Sequence, residues 1–358
     1  FGVFSELARP ISDDWRVTTG ARVDWVTNKA RADVPGMGVL TNLPPVLVET
    51  PLDDLKQAGL DQSFTPLSLY ATTDYAVNDR LTLLGGVGYA MRPPSLTELY
   101  AAGPFIGSAQ PGLSFVEGDP TLDPEQLIQV DFGGKVDYGR FRASANAFHA
   151  WVHDYITLED FALLSMPPLT YTPGQDLQRL AYVNTNLATL AGFELKAEHD
   201  LTDWLSLFAL GSYVEGRDHT RDRPSRLAAL VRDENFAPTG PRSLNTSKEE
   251  PLPGMPPLEG RFGVRLHEAS RRPVWMVEFE TRVVDQQDRV AASLWEQPTP
   301  GFAVFNLRGY VRPAERFMLL AGVENLGDRL YREHLDYRTG LGVFRPGVTG
   351  YVATEIRY

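Results

Sequence analysis

The sequence contains no cysteine, which removes disulfides, thiolate-bound zinc and thiol nucleophiles from consideration. No stretch reaches the roughly 18 consecutive apolar residues that a spanning helix needs, so a helical membrane anchor is excluded. Positive charge is scarce: 34 Lys and Arg face 46 Asp and Glu, for a formal net charge of −12. Binding to nucleic acid needs clustered cations in excess, so nucleic acid is not an expected partner. Segments with a 3.6-residue apolar period are missing as well, which leaves no amphipathic helix to build on. What is present is a chain of 358 residues with 43% hydrophobic content, ample for a folded body.

That apolar content is distributed with a period of two. In the last eleven residues, Val348, Val352, Thr354, Ile356 and Tyr358 fall on one side, with Thr349, Tyr351, Glu355 and Arg357 on the other. This is the mark of a strand with one greasy and one polar face. The same alternation runs through residues 15–25, 66–77, 80–91, 126–138, 140–156, 191–201, 204–216, 259–269, 273–286, 301–313 and 316–326. With the opening residues 1–9 the total is thirteen predicted strands. Parity slips within 140–156 and 204–216.

The connections come in two alternating kinds. Minimal turns fall near Ser12, Asn78, Gly139, Thr202, Ser270 and Ala314, and the connections between them are much longer. A soluble sandwich has no reason to keep every second turn short, whereas an outer-membrane barrel does, with short periplasmic turns and long extracellular loops. Trp15, Trp25, Trp204 and Trp275 sit near strand ends, as interfacial aromatics do. The fold expected is all-β: a transmembrane antiparallel β-barrel embedded in outer-membrane lipid. On this geometry the first and last strands both run inward. An odd strand count, no initiator Met and no signal peptide at Phe1 lead us to expect the C-terminal portion of a larger barrel.

One long connection carries a pattern of its own. Residues 91–126 read MRPPSLTELYAAGPFIGSAQPGLSFVEGDPTLDPEQ, and Arg92, Pro93, Glu98, Leu99, Glu117, Gly118, Asp119, Pro120, Leu122, Pro124 and Glu125 match the signature of TonB-dependent outer-membrane receptors. The stretch around Gly20, Arg22 and Asp24 agrees with this. So does the closing segment, where Asn325, Leu326, Tyr331 and His334 match and Tyr358 stands where the family usually ends in Phe. The chain resembles that family over essentially its whole length.

The resemblance implies about 13 of an expected 22 strands, with residues 1–358 forming the C-terminal part of the barrel. The N-terminal plug and first strands are expected upstream. It implies active transport without catalysis: a scarce extracellular ligand, a ferric siderophore or similar small-molecule metal complex, imported with energy delivered by the TonB complex through the plug. Haem, cobalamin or carbohydrate are family alternatives. Haem is demoted because residues 94–118 contain no His. From other classes, a hydrolase with rim carboxylates and a passive porin-like barrel remain as alternatives.

Six prolines stiffen the signature loop and reduce the entropy lost on ordering it. Its apolar members Tyr100, Phe105, Ile106 and Phe115 are candidate ligand contacts, with Tyr337 and Arg338 in the last loop. Glu98, Glu117 and Glu125 have two readings: anchors to arginines of the barrel wall, or direct ligands. No metal site and no cofactor are expected. His149 and His153, four apart on a strand, lie about 13 Å from each other, too far to share an ion. Loop carboxylates such as Glu49, Asp53, Asp54, Asp218, Asp222 and Asp233 read as solvated.

Overall fold

The computed structural model describes residues 1–29, 61–107, 113–160, 178–219, 249–270, 272–294, 296–336 and 343–357. Its strands are, in chain order, β1 (Gly2–Pro10), β2 (Trp15–Asp24), β3 (Val26–Lys29), β4 (Asp61–Phe64), β5 (Leu67–Asn78) and β6 (Leu81–Arg92). A one-turn helix α1 (Leu96–Tyr100) and a hairpin, β7 (Ala102–Ile106) with β8 (Leu113–Glu117), follow. Then come β9 (Glu125–Asp137), β10 (Phe141–Asp160), β11 (Gln178–Asp200), β12 (Leu205–Asp218), β13 (Glu250–Pro251), β14 (Glu259–His267) and β15 (Trp275–Val284). After a 3₁₀ turn at Ala292–Leu294, β16 (Phe302–Ala314), β17 (Phe317–Glu324) and β18 (Thr349–Ile356) complete the chain.

These strands form one 16-stranded sheet plus the separate β3–β4 hairpin. The sheet's main path is β1-β2-β5-β6-β9-β10-β11-β12-β14-β15-β16-β17-β18, each strand antiparallel to its neighbour in the path. Those thirteen are the thirteen read from the sequence, and the sheet is an arc whose edges β1 and β18 do not meet. Chain-order pairing is what minimal turns enforce. At the β9–β10 turn, Gly139 adopts φ +74°, a conformation that disfavours any side chain, and its N–H bonds Asp137 at 2.8 Å.

Register fixes the two faces. One row across the sheet runs Leu69, Tyr89, Ile128, Trp151, and another runs Thr73, Gly85, Phe132, Ala147, Phe193, Tyr213. Both face outward and are mainly apolar or aromatic. The alternate row Asp74, Leu84, Gly133, Asn146, Glu194, Ser212, Glu259 faces inward and is largely polar. Trp15 and Trp25 stand ten residues apart on consecutive segments, as do Phe141 and Trp151 on β10. At about 3.4 Å per residue and a tilt near 40°, that spacing spans about 25 Å, the height of the apolar band of an outer-membrane barrel.

The strands are longer than the alternation shows at one place. β11 begins at Gln178, not at residue 191, and β10 runs on to Asp160. There Ile156, Leu158, Leu180 and Tyr182 put apolar groups on the inner face, so neither face reads as polar and the period disappears. Parity within β10 weakens for the same reason, since Ala150 and Val152 are inward and buried.

Phe132 is outward, exposed and level with Ala147, midway between the two aromatic rows. In the vesicle-inserted barrel, Phe132→Arg is expected to lower stability by about 2–4 kcal/mol. Asp131→Asn, its inward neighbour, is expected to shift it by under about 1 kcal/mol. Urea titration of the vesicle-inserted protein separates the two faces; equal effects would mean that the assignment of inside and outside is wrong.

Candidate functional site at the extracellular mouth

The signature loop leaves β6 at Arg92, whose guanidinium is on the inner face. Its Nε donates to Glu125 at 2.6 Å, and Nη1 and Nη2 donate to the two oxygens of Glu98 at 2.9 and 3.0 Å. One cation thus joins the end of β6, the helix α1 and the start of β9. Such bidentate, charge-assisted geometry suits Arg and not Lys. Glu98 also closes a capping box with Ser95, taking the Ser95 N–H at 2.6 Å while its own N–H bonds the Ser95 hydroxyl. The second oxygen of Glu125 accepts from the Ile156 N–H at 2.8 Å. Burial alone would raise the Glu98 carboxyl. Hydrogen bonds from Arg92 and Ser95 outweigh that and hold it below the usual carboxylate range.

The remaining signature residues hold the loop's shape. A side chain at Gly118 would sit 2.5 Å from the Tyr100 nitrogen and 2.6 Å from that of Ala101, so only glycine lets the returning chain pass α1. Asp119 takes the Thr121 N–H at 2.7 Å, and its own N–H bonds the Glu98 carbonyl. Leu99 and Leu122 are buried with Ile156, and Pro120 is buried beside them while Pro93 and Pro124 are half-buried. Asn184 of β11 exchanges hydrogen bonds with the backbone of Asp123.

Of the candidate contacts, Tyr100 packs on the Leu99–Leu122–Ile156 cluster and Phe105 on a second cluster. Ile106 pairs with Leu113 in the hairpin, and Phe115 lies in β8, which runs parallel to β11 along Ser114–Glu117. Glu117 sits between Ala102 and Ala181 in that ladder. Tyr337, Arg338 and Tyr358 lie outside the described residues, as do Glu49, Asp53, Asp54, Asp222 and Asp233. Asp218, read as solvated, is fully buried beneath the mouth, where β13 pairs with the end of β12.

Opposite the signature loop, three connections are tied together. Asn325, at φ 54°, receives the Arg329 N–H and donates to the carbonyls of Arg329 and Pro346, so it shapes the turn out of β17. Tyr331 packs against Phe302 with the two rings tilted and their centroids 4.2 Å apart. His334, 4% exposed, bonds Thr299 at 3.0 Å and Glu296 at 3.2 Å. Glu296, also buried, takes the N–H groups of Gly254 and Ala291. Glu250 takes the Ser293 N–H and hydroxyl, and Gln287 reaches the Met255 carbonyl.

Below the mouth, the inner wall from β11 to β16 is an ion-pair ladder. Arg265 joins Glu198 and Glu278, Arg308 joins Glu278 and Glu280, and Arg282 joins Glu259 and Glu333. None of these residues was singled out by sequence, because an inward charged residue and a solvated one look alike in a period-2 pattern. A cavity of about 340 Å³ lies against this wall, lined by Ser144, Asn146, Lys196 and Arg261 among others. Among the described residues no group of three His, Asp or Glu could hold a metal ion. No described helix is long and apolar enough to cross a membrane.

A family model described as TonB dependent receptor-like, beta-barrel, matches residues 1–326. The chain belongs to the TonB-dependent receptor family. Members of this family are outer-membrane barrels, and the two-faced arc with its short-turn and long-loop ends is the family's architecture. No curated protein matches the chain in sequence. Among solved structures, a copper transporter, OprC, is similar at 24% identity and TM-score 0.69, over 99% of this chain and 47% of that one. The FrpB iron transporter from Neisseria meningitidis (F5-1 variant) gives 15% and 0.64, over 99% and 45%. The siderophore receptor PirA from Pseudomonas aeruginosa gives 13% and 0.53, over 99% and 56%. These likenesses establish the fold. The chain spans about half the length of each of these proteins.

The lowered Glu98 group gives the receptor's signature loop a pH dependence with a definite sign. A carboxyl depressed in the folded state adds stability above its unfolded pKa and loses it as pH falls through the folded value. Amide protection over residues 95–101, corrected for intrinsic exchange, is therefore expected to hold at pH 5 and to fall only below the ordinary Glu range, about pH 4. Arg92→Met should reduce the same protection at neutral pH by about 1–3 kcal/mol of local opening free energy. Protection that is flat through the acid range, and in Arg92→Met, would mean the clamp does not hold the loop.

Proposed function

We propose that this chain is the C-terminal portion of the barrel of an outer-membrane receptor that imports a scarce metal complex, a ferric siderophore or a similar chelate, with energy delivered by TonB. The observation that carries the reading is the family match over residues 1–326. The structurally similar proteins include a copper transporter, an iron transporter and a siderophore receptor, which supports a metal complex as cargo. Coverage of about half of each of those chains supports a plug and further strands, about nine, encoded upstream of Phe1. The unpaired edges of β1 and β18 agree, because backbone groups left unpaired in hydrocarbon cost several kcal/mol each.

On this reading the work done is binding and gating, with no covalent chemistry. The extracellular loops capture the ligand, with Tyr100, Phe105, Ile106, Phe115, Tyr337 and Arg338 as contacts, and the plug is rearranged to open a path along the polar inner wall. The barrel sits in the bacterial outer membrane, and the TonB complex reaches it through the plug.

The test is uptake by whole cells of radiolabelled iron and copper, free and as catecholate or hydroxamate chelates. Cells with and without the gene for the complete receptor are compared in intact and TonB-deleted backgrounds. The expected result is a receptor-dependent signal for one metal complex that vanishes without TonB and falls several-fold in the double variant Tyr337→Ala, Arg338→Ala. Receptor-dependent entry that survives loss of TonB would replace this reading with a passive pore.

A further inference from the structure

The connection after β15 sends one cation back over the outer surface of the sheet. Buried Gln287 holds it in place: its Nε2 donates to the Met255 carbonyl at 2.7 Å, and its Oε1 accepts the Arg289 backbone N–H at 3.2 Å. So held, the Arg289 guanidinium lies over the Tyr213 ring, 4.8 Å from its centroid. Tyr213 belongs to the outward row of β12 and stacks on Phe193, its outward neighbour on β11, with centroids 5.8 Å apart. It stands nine residues beyond Trp204, which at about 3.4 Å per residue and a tilt near 40° is about 23 Å, close to the full height of the apolar band. Arg289 and Tyr213 therefore mark the extracellular edge of the lipid-facing surface, at the depth of the headgroups.

The carboxylates nearby are engaged elsewhere. Glu215 spends one oxygen on Arg217 at 2.6 Å and the other on the Tyr213 hydroxyl at 3.0 Å. Glu249 meets His219 at 3.4 Å. Among the described residues no acceptor reaches Nε or Nη2 of Arg289, although both are shielded from water. These two N–H groups point the same way along one edge of the guanidinium, the edge that grips an oxyanion with paired hydrogen bonds. Shielded donors without an acceptor are costly. The arrangement is a preformed fork that lacks its anion.

We infer that this fork binds the phosphate of an outer-leaflet lipid. The inference rests on the reading of the chain as an outer-membrane barrel whose long loops face the medium, and on nothing about its cargo. Position and charge select the occupant. The fork lies on the outer face, away from the lumen, so an imported ligand does not pass it. It caps the apolar surface that acyl chains cover, so a lipid phosphate reaches it with its own chains already seated below. Tyr213 serves both halves of such a molecule: its ring face supports the cation, and with Phe193 it offers apolar area to the chains.

The complete receptor in dodecyl maltoside is titrated with dioleoyl phosphatidic acid and, separately, with dioleoylglycerol, and bound lipid is counted by native mass spectrometry. Neither cargo nor TonB is needed, so failure here leaves the import reading standing. Arg289→Gln is expected to weaken the first phosphatidic acid bound by about fivefold or more. Glu215→Gln, which removes the adjacent negative charge, is expected to tighten it by about twofold, a gain that a damaged fold would not produce. Arg140→Gln, at a periplasmic turn where Arg140 pairs with Asp203, is expected to leave it unchanged. Should Arg289→Gln fail to fold, Tyr213→Leu removes the support beneath the guanidinium and is expected to weaken binding by a smaller factor. Phosphatidic acid held as tightly by Arg289→Gln or by Tyr213→Leu as by the parent overturns the inference. So does dioleoylglycerol bound as well as phosphatidic acid, which would mean apolar contact only, or displacement of the lipid by an equal concentration of inorganic phosphate, which would mean a site for the free ion.

Discussion

A peptide group in hydrocarbon has no water to bond, so every N–H and C=O that crosses the membrane must find its partner in the neighbouring strand. The rest of this structure depends on that constraint. It makes each crossing a strand, each neighbour in sequence a neighbour in space, and each turn at the periplasmic end as short as the chain permits. The continuous antiparallel pairing from β1 to β18 is its direct expression. Only above the membrane, where water returns, does the chain leave the ladder for α1, the 3₁₀ turn and the irregular loops.

The same constraint separates the two faces chemically. Outward positions such as Phe132, Leu195 and Phe262 meet lipid, while inward positions carry the ladder of Arg265, Glu278, Arg308 and Glu280. Each of these charges has an opposite partner on a neighbouring strand, which lets Glu278 and Glu280 remain nearly inaccessible to solvent. Near the mouth the inner face changes character. Apolar groups at Ile156, Leu158 and Leu180 receive the folded-in loops, and carboxylates stop pairing along the wall and hold backbone N–H groups of the loops instead.

How much of this could be read in advance follows from where two solvents act on one strand. All thirteen main strands were legible, because lipid on one side and water on the other impose a period of two. β11 was cut short at residue 191 because, where a packed loop replaces water, Leu180 and Tyr182 meet apolar neighbours and the period has no cause. α1 is five residues long, below any helical period. The signature loop was visible by family resemblance, but its logic was not: that Arg92 grips Glu98 and Glu125 together, or that Gly118 is needed for chain clearance, depends on contacts of 2.5–3.0 Å between distant residues. Glu296, Glu250 and Gln287 gave no signal at all, since a buried acceptor in a loop has the same composition as a solvated one.

The polar and apolar parts of the mouth divide its labour. A loop stiffened by proline, a capping box and a two-carboxylate clamp has its aromatic residues committed to packing: Tyr100 against the cluster of Leu99 and Leu122, and Phe105 against that of Val116 and Leu180. Aromatic side chains that read as free contacts in sequence are thus part of the packing that shapes the loop.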